Sequence, residues 1–230
     1  MKNPHLNENR KRTITDPIDE VNRKGDDQFI EQHLCPSDSS WTSWTHPRTR
    51  IQHSLHLIGA GSLSSADLDS CYHLIEETSR AHYESSTGGW KPDAKLAEMK
   101  SPELRYMLIK DPQGVVRGFM SLMPTYEEGE PVIYCYEIHL KPEVQRTGLG
   151  SLLMSFLERI ASHTPPAGKI MLTCFLSNQK ALAFYKSFGF AEDPISPVPR
   201  KLRFGREFVP DYVIMSKTVE RKIMPSAASS

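Results

Sequence analysis

The sequence predicts an α/β fold in which a mixed, mostly antiparallel central sheet is flanked by helices. Two observations predict it. Three apolar strand patterns follow one another near the middle of the chain, and tight turns between strands are typical of antiparallel pairs. The pattern then changes to helix, strand, helix and strand, which is typical of layered α/β folds. At 230 residues, the chain is long enough to bury one core of this kind.

Composition excludes several classes of protein. The 28 acidic and 28 basic residues balance, so no overall field draws the whole chain to nucleic acid or to a membrane. The four cysteines are scattered without a Cys-x-x-Cys pair, which indicates reduced thiols rather than a disulfide framework or a zinc site. No apolar run could span a bilayer and no signal peptide is recognisable. We therefore expect a monomeric protein of the cytoplasm and nucleus that binds no metal.

The chain divides into four parts by composition. Residues 1–25 are polar and mixed in charge, which predicts a disordered tail. The basic run Arg10–Arg12 in this tail is either a nuclear address or ordinary solvated chain. Residues 26–63 hold large apolar side chains with little periodicity, and we expect an arm packed on the main domain. That domain spans 64–219, and 220–230 are predicted to be a second disordered tail.

The domain begins with two helices and two strands. Ser64 or Ser65 can cap the helix, and acidic residues in the first turn suit the positive end of the helix dipole. A second short helix is predicted after Pro92, because proline is tolerated in a first helical turn. Strands are predicted over Leu104–Lys110 and Val115–Met123, which flank the turn sequence DPQG.

The remaining elements alternate. A third strand, Val132–Leu140, leads through two glycines into a helix that ends near Ser162, whose leucines recur at three- and four-residue steps. The later elements are a buried strand, a helix and a last strand, at Lys169–Leu176, Asn178–Phe188 and Tyr212–Val219.

The segment QRTGLG, residues 145–150, joins the third strand to its helix. The first amides of a helix lack partners and carry partial positive charge, so they bind anions, and glycines permit a close approach. The segment therefore suits a pyrophosphate, with Arg146 adding charge. Alternatively, it is a plain turn whose glycines only allow close packing. A P-loop is excluded because no Lys-Ser/Thr follows, and a dinucleotide fold is disfavoured because a third glycine is missing.

A second motif distinguishes these alternatives. Asn178 begins the pattern N-x-x-A-x-x-F-Y-x-x-x-G-F, in which Tyr185 lies two turns later on the same helix face. Together with QRTGLG, this pattern resembles the GCN5-related N-acetyltransferase (GNAT) superfamily, whose signature is Q/R-x-x-G-x-G/A. Four further segments resemble the NatD-type N-terminal acetyltransferases: YESSTGGW, YCYEIHL, MLTCF and YVIMS. Members of that family acetylate the N-terminal amine of histone four and histone two A tails that begin Ser-Gly-Arg-Gly.

The resemblance implies a GNAT fold over about 64–219 and acetyl-CoA as co-substrate. The amides of the glycine loop would seat its pyrophosphate, and the backbone at the end of the third strand would pair with its pantetheine arm. Tyr185 would lie at the thioester sulfur, whereas the side chain of His139 is expected to be incidental. The residues assigned to the coenzyme are Ile138, His139, Leu140, Arg146, Thr147, Gly148, Leu149, Gly150, Ser151 and Asn178.

Glu137 is the candidate base, with Tyr136 and Tyr185 completing the catalytic set. An α-amine with a pKa of about 7.7–8.0 needs only a modest base, and a carboxylate in an apolar strand should have a raised pKa. Alternatively, Glu137 faces water from an edge strand. The resemblance implies that the matching glutamate removes the proton through a water. Alternation places Tyr134 and Tyr136 on one face and Cys135 and Glu137 on the other, so a common site requires that the strand bulges or splays there.

The resemblance also implies contacts with a peptide. These are Tyr83, Trp90, Glu127, Glu128, Tyr134, Tyr136, Thr173, Ser196 and Tyr212. The acids of YEEGE, residues 126–130, are either an ordinary solvated loop or the receptor of the arginine at the third position of the tail. The sequence does not fix which acid binds it, and the basic segment Arg200–Arg206 has no assigned role.

Three other functions fit the sequence less well. A lysine acceptor, with a pKa near 10.4, would demand stronger proton removal than an α-amine. A small-molecule amine is a second alternative acceptor. A non-catalytic module that binds histone tails is the third, and the intact glycine loop argues against it.

Overall fold

The computed structural model of this chain describes residues 16–201, 203 and 207–219. The helices are α1 (Pro17–Asn22), α2 (Asp26–Phe29), α3 (Ser65–Glu84), α4 (Pro92–Met99), α5 (Leu149–Ser162) and α6 (Gln179–Ser187). The longer strands are β2 (Gln52–Gly59), β3 (Arg105–Lys110), β4 (Val116–Glu127), β5 (Glu130–Leu140), β6 (Lys169–Phe175) and β10 (Tyr212–Thr218). The short strands are β1 (Ser43–Thr45), β7 (Ala191–Glu192), β8 (Arg200–Lys201) and β9 (Glu207–Phe208).

One mixed sheet organises the described residues. Its strand order is β1-β2-β3-β4-β5-β6-β10-β7, and every neighbouring pair is antiparallel except β5 and β6. The prediction of a mixed, mostly antiparallel α/β sheet is therefore confirmed. Strands β8 and β9 form a separate two-stranded pair. Among the described residues, no helix is both long and apolar enough to cross a membrane.

The sheet splits between its two parallel strands. Pairing of β5 with β6 begins at Ile133 and Ile170 and stops at Cys135 and Leu172. Strand β6 continues to Phe175 and stays paired with β10 over its whole length. Beyond Cys135, β5 therefore diverges from β6. The wedge-shaped gap between the two strands is bordered on one side by the backbone of the second half of β5.

The N-terminal arm supplies a strand of the sheet. Strand β2 lies between β1 and β3, with Leu55 opposite Ile109. Phe29 is completely buried, and the guanidinium of Arg105 lies 4.0 Å above its ring. Arg105 also forms an ion pair with Asp26 at 3.1 Å. The arm is thus joined to the domain by backbone pairing, a buried apolar side chain and an ion pair between the buried Arg105 and the half-buried Asp26.

Disorder was predicted for residues 1–25, and for residues 16–25 that prediction is wrong. Helix α1 begins with Pro17 and is capped by the Asp16 carboxylate, which accepts from the amide of Ile18 at 2.8 Å. Ile18 and Val21 are buried on the same helix face. The polar composition of the tail hid this pair of apolar residues at three-residue spacing. Residues 1–15 and 220–230, with Arg10–Arg12, lie outside the described residues.

Helices cover both faces of the sheet. Helix α5, the arm and α6 pack on one face, in a core that includes Cys135, Leu149 and Tyr185. Helices α3 and α4 cover the other face, where the aromatic residues Tyr106 and Phe119 are completely buried. The wedge between β5 and β6 opens between these two layers. Side chains from both helical layers therefore border it.

Candidate active site

A β-bulge in β5 determines the arrangement of the candidate catalytic residues. Ser121 of β4 pairs with Glu137, and the next residue of β4, Leu122, pairs with Cys135, so Tyr136 is an extra residue in the strand. A bulge re-aims the side chains around it. Tyr136 and Glu137 both face α3 and α4, whereas Cys135 lies in the core beneath the opposite face. The bulge that a common site required is present.

The Glu137 carboxylate is surrounded by hydrogen-bond donors. Its side chain is only 10% exposed. The Lys95 ammonium of α4 donates to Oε1 at 2.8 Å, and the Tyr83 hydroxyl of α3 donates to the same oxygen at 3.4 Å. The second oxygen contacts Nε2 of His139. The Lys95 ammonium also reaches Glu98 at 2.7 Å, so α4 is tied to β5 by a buried pair of charges.

The expectation of a raised pKa for Glu137 is wrong. Burial acts to raise the pKa, but the charge and hydrogen bond of His139, followed by those of Lys95, outweigh burial and lower the pKa of Glu137 to about 2. Burial likewise acts to lower the pKa of Lys95, yet Glu137 and its other neighbours raise it above its ordinary value. Most of the strand is apolar, as the sequence indicated, but His139 of the same strand and Lys95 of α4 both lie against the carboxylate. Glu137 is therefore a carboxylate that accepts hydrogen bonds well and retains protons poorly.

Aromatic side chains form the walls beside this carboxylate. The ring of Tyr83 lies edge-on to Trp90 at 5.2 Å and to Phe175 at 4.8 Å. Burial raises the pKa of Tyr83 to about 12, so this hydroxyl acts as a donor. Aromatic residues from α3, the α3–α4 loop and β6 thus enclose the space in front of the carboxylate.

Two more candidates line the mouth of the wedge. The Tyr134 ring lies 5.2 Å from that of Tyr136, and the Tyr134 hydroxyl lies 2.6 Å from that of Thr173. Thr173 is exposed although its strand is central. That exposure follows from the split of the sheet, because β5 no longer covers this part of β6. Tyr212 pairs with Phe175 at the same end of the sheet.

The start of α5 has the features of an anion cradle. Gly148 precedes the helix with a φ of 88°, and no side chain of the described residues caps the first amides. The first amide bonded within the helix is that of Leu152, to the Gly148 carbonyl at 3.0 Å. The amides of Leu149, Gly150 and Ser151 are therefore available, which suits a phosphate.

The cradle is tightly packed at Gly150. A Cβ there would lie 3.2 Å from the Phe184 ring and 3.7 Å from Leu140. The loop lies at the end of β5, next to the wedge. Arg146 precedes the cradle with a φ of 55°, and the Thr147 hydroxyl donates to the Val144 carbonyl. The residues present thus fit a coenzyme that carries a pyrophosphate.

Two other coenzyme candidates are in helix α6. The Asn178 side chain caps this helix by accepting from the amide of Ala181 at 3.1 Å, so the structure gives it a local role. Tyr185 is buried between the rings of Phe184 and Phe190. Burial raises the pKa of its hydroxyl well above the ordinary value. A neutral phenol in that place can donate a proton or a hydrogen bond but is a poor base.

The acidic loop is the tip of the β4–β5 hairpin. Glu127 pairs with Glu130 across the tip, while Glu128 and Gly129 both have positive φ. Such a two-residue turn fits the twist of the strands. Glu130 forms an ion pair with Lys169 at 2.7 Å. Because Glu130 is paired with Lys169, Glu127 and Glu128 remain as the acids of the tip that could bind an arginine.

Ser196 has a structural role, and the basic segment lies partly outside the described residues. The hydroxyl of Ser196 accepts from the amide of Ile214 at 3.1 Å, so it holds its turn against β10. In the basic segment Arg200–Arg206, only positions 200, 201 and 203 are described. The role of the segment therefore stays unassigned.

Sequence reasoning missed Lys95 and the ring of His139. Lys95 is 8% exposed and lies four residues before the buried Met99, so both occupy the inner face of α4. A lysine on the inner face of a helix was the available signal. The ring of His139 shares a strand face with Glu137, because the two are separated by one residue beyond the bulge.

Comparison with known proteins assigns the family. Residues 68–190 match the Acetyltransferase (GNAT) family, which is more than half of the chain. The chain belongs to the GNAT family. The glycine loop, the wedge and the bulge described above all fall inside the matched segment.

This GNAT protein is similar to N-alpha-acetyltransferase 40 of Saccharomyces cerevisiae, with 34% identity over 155 residues. The match covers 57% of this chain and 54% of that protein, so the chain spans about half the length of this relative. Tetrahymena GCN5 is similar in fold, with a TM-score of 0.53 and 10% identity over 74% of this chain and 98% of that one. Arabidopsis thaliana NAA60, solved with a bisubstrate analogue, has a TM-score of 0.51 and 11% identity over 72% and 98%. At these identities the two structures support the fold alone.

Proposed function

We propose that this chain transfers the acetyl group of acetyl-CoA to the N-terminal amine of histone four and histone two A tails that begin Ser-Gly-Arg-Gly. Membership of the GNAT family and the similarity to N-alpha-acetyltransferase 40 support transfer to an N-terminal amine. The observation that carries the proposal is the bulge at Tyr136. It turns Glu137 and Tyr136 toward the same space, at the point where the sheet splits.

The coenzyme would be held by backbone atoms. Acetyl-CoA supplies the acetyl group as a thioester when it is bound. The amides of Leu149, Gly150 and Ser151 would hold its pyrophosphate. The edge of Ile138–Leu140 that faces away from β4 would bind its amide groups as an added strand does. Tyr185, kept neutral by burial, would donate to the departing sulfur.

Glu137 would orient the amine and begin the removal of its proton. An α-amine has a pKa of about 7.7–8.0, so a substantial fraction is already neutral at physiological pH. A carboxylate with a pKa of about 2 serves well as an acceptor for the N–H bonds of that amine or of a water beside it. Tyr83 and Tyr136 would limit the space to a small first residue.

Acidic side chains favour a basic tail. Burial, and then the negative charges of Glu98, Glu127 and Glu103, raise the pKa of Tyr136, so three acids lie within electrostatic reach of this ring. An arginine at the third position of the tail can pair with such a carboxylate through two parallel hydrogen bonds. Glu127 is the acid that we assign to this contact, because it also lies within reach of Tyr134. We further propose that the protein acts as a monomer in the cytoplasm and nucleus.

Mass spectrometry of acetylated peptides tests the proposal. A peptide that begins Ser-Gly-Arg-Gly should gain one acetyl group on its N-terminal amine. The same peptide with a blocked N-terminus and an internal lysine should gain none. A third peptide, with glutamate in place of the arginine, should be acetylated more slowly because its charge is reversed. Acetylation of the lysine with a free N-terminus left unmodified would refute the proposal.

A further inference from the structure

The ammonium of Lys95 is buried against the candidate base and is fully engaged within the fold. The residue is 8% exposed. Its Nζ donates to Glu137 at 2.8 Å and to Glu98 at 2.7 Å, and it lies 5.1 Å from the centroid of the Tyr83 ring. An ammonium has three N–H bonds, and here two carboxylates and the face of an aromatic ring receive them. Lys95 therefore holds other groups in place rather than contacting a substrate itself.

The same contact limits what the Glu137 carboxylate can accept. A carboxylate has about four acceptor sites, two on each oxygen. Lys95 and the hydroxyl of Tyr83 occupy those of Oε1, at 2.8 and 3.4 Å. Nε2 of His139 occupies one site of Oε2. One acceptor site on Oε2 is then left, which suits a single N–H bond of an amine or a single O–H bond of a water.

Lys95 also balances the charge of Glu137. The side chains of this pair are 8% and 10% exposed, so solvent screens their charges little. Glu98, the second acid on Lys95, is 41% exposed, and solvent screens its charge far more. His139 adds no negative charge, whether its ring is neutral or protonated. The paired carboxylate therefore attracts a second cation far less than an unpaired one would.

Other titratable groups around the pair leave this balance unchanged. Burial is the largest cause that raises the pKa of each, which keeps each neutral. They are Tyr83 on α3, Tyr106 on β3, Cys135 on β5 and Tyr185 on α6.

The charge of the substrate amine decides whether it can react. Only a neutral amine has a lone pair that can attack the thioester. A nearby carboxylate without a partner raises the pKa of an amine by roughly 1 to 3, which keeps the amine as an ammonium, and a nearby cation has the opposite effect. An unpaired Glu137 would thus bind the substrate tightly in its unreactive form, and the charge of Lys95 prevents this.

We propose that Lys95 is a positioning residue that acts through Glu137 and makes the acceptor amine enter without a charge. The proposal rests on the acetyl transfer proposed above and adds a basis for its choice of amine. At a pH of about 7.4, roughly a quarter of an α-amine is neutral, but only about a thousandth of a lysine side chain. The requirement for a neutral amine therefore favours an N-terminal amine over a lysine by more than about 10²-fold.

Calorimetry with two peptides tests the proposal without turnover. One peptide begins Ser-Gly-Arg-Gly, and in the other a hydroxyl group, which carries no charge, replaces the N-terminal amine. At a pH of about 6.5 most of the amine is protonated, and the unmodified protein should bind the amine peptide no more tightly than the hydroxyl peptide. Lys95→Met should bind the amine peptide at least about tenfold more tightly than the hydroxyl peptide. Lys100→Met, at the exposed C-terminal end of α4, is the matched control and should behave as the unmodified protein.

Steady-state kinetics supply a second measurement. At a pH of about 7, Lys95→Met should lower kcat at least about tenfold. The KM for the peptide should stay the same or fall, because the ammonium binds but does not react. Loosened packing would instead raise KM as kcat falls, and that result would overturn the proposal.

The binding measurement can also overturn it. A preference of the unmodified protein for the amine peptide of about tenfold would show that Glu137 binds an ammonium in spite of Lys95, and this outcome does not depend on the folding of a variant. Lys95→Met without any preference would show that the charge of Lys95 does not act on the amine. Peptides that the unmodified protein neither binds nor acetylates overturn the proposed function itself.

Discussion

Acidification is expected to weaken the attachment of the arm through one buried histidine, His33. Its ring is 3% exposed and lies against the end of α5. Nδ1 lies 3.0 Å from the carbonyl oxygen of His163, which can only accept, so Nδ1 carries the proton of the ring. Nε2 then accepts from the ammonium of Lys24 at 2.8 Å. The folded state therefore holds His33 neutral beside a positive charge.

The size of the effect follows from the pKa of His33. Burial, and next the charge of Lys24, lower this pKa from 6.5 to about 4. Between these two values the unfolded chain binds a proton that the folded chain does not, so the free energy of unfolding decreases as the pH falls. At pH 4.5 the loss from this one group is about 2.5 kcal/mol. Below a pH of about 4, both states bind the proton and His33 contributes no further loss.

Urea unfolding at about pH 7 and about pH 4.5 measures this loss. His33→Gln keeps a donor for the carbonyl of His163 but cannot titrate, so it should lose about 2.5 kcal/mol less than the unmodified protein on acidification. Comparing the two proteins cancels the contribution of the carboxylates. His73→Gln, at a side chain that is 73% exposed, should follow the unmodified protein. The reasoning is refuted if His33→Gln loses as much stability as the unmodified protein does.

Three further outcomes are expected. Gly150→Val should weaken acetyl-CoA binding at least about tenfold, because even its Cβ would lie 3.2 Å from the Phe184 ring; unchanged affinity by calorimetry, with the fold intact, would contradict the cradle. Phe29→Ala should lower the free energy of unfolding by about 3–5 kcal/mol, since the ring is completely buried; a loss under about 1 kcal/mol in urea would show that the arm is weakly attached. Glu137→Gln should lower kcat about 10²-fold with little change in peptide affinity; a defect confined to binding would make Glu137 a substrate contact only.

The elements with strong local signals were predictable from the sequence. The helix after the glycines was expected to end near Ser162, and α5 ends there. Its apolar residues recur at helical spacing, so this helix can be recognised without knowing which elements it packs against. Strand β2 was missed, although Leu55 and Leu57 alternate with polar residues. Two apolar positions are a weak pattern, and what stabilises β2 is its long-range pairing with β3.

Part of the candidate site was predictable from the sequence, but Lys95 and the electrostatics of Glu137 were not. The wedge gathers Tyr83, Tyr134, Tyr136 and Glu137, which the resemblance had selected. The pKa of Glu137 was predicted with the wrong sign for two reasons: His139 of the same strand was taken as incidental, and Lys95 approaches from a separate helix. The direction of a pKa shift depends on such tertiary neighbours, and only the fold reveals them.

Strand β2 has a practical consequence for work on this chain. The segment that matches the family begins at residue 68, beyond the end of β2 at Gly59. A fragment that begins at that boundary would lack β2 and leave β3 as an apolar edge strand. Met107 and Ile109 would then lose the arm residues that pack in the same core. Exposed edges of this kind recruit strands from other molecules. We therefore expect that the segment shared with the family does not fold on its own, and that it aggregates under conditions in which the longer chain does not.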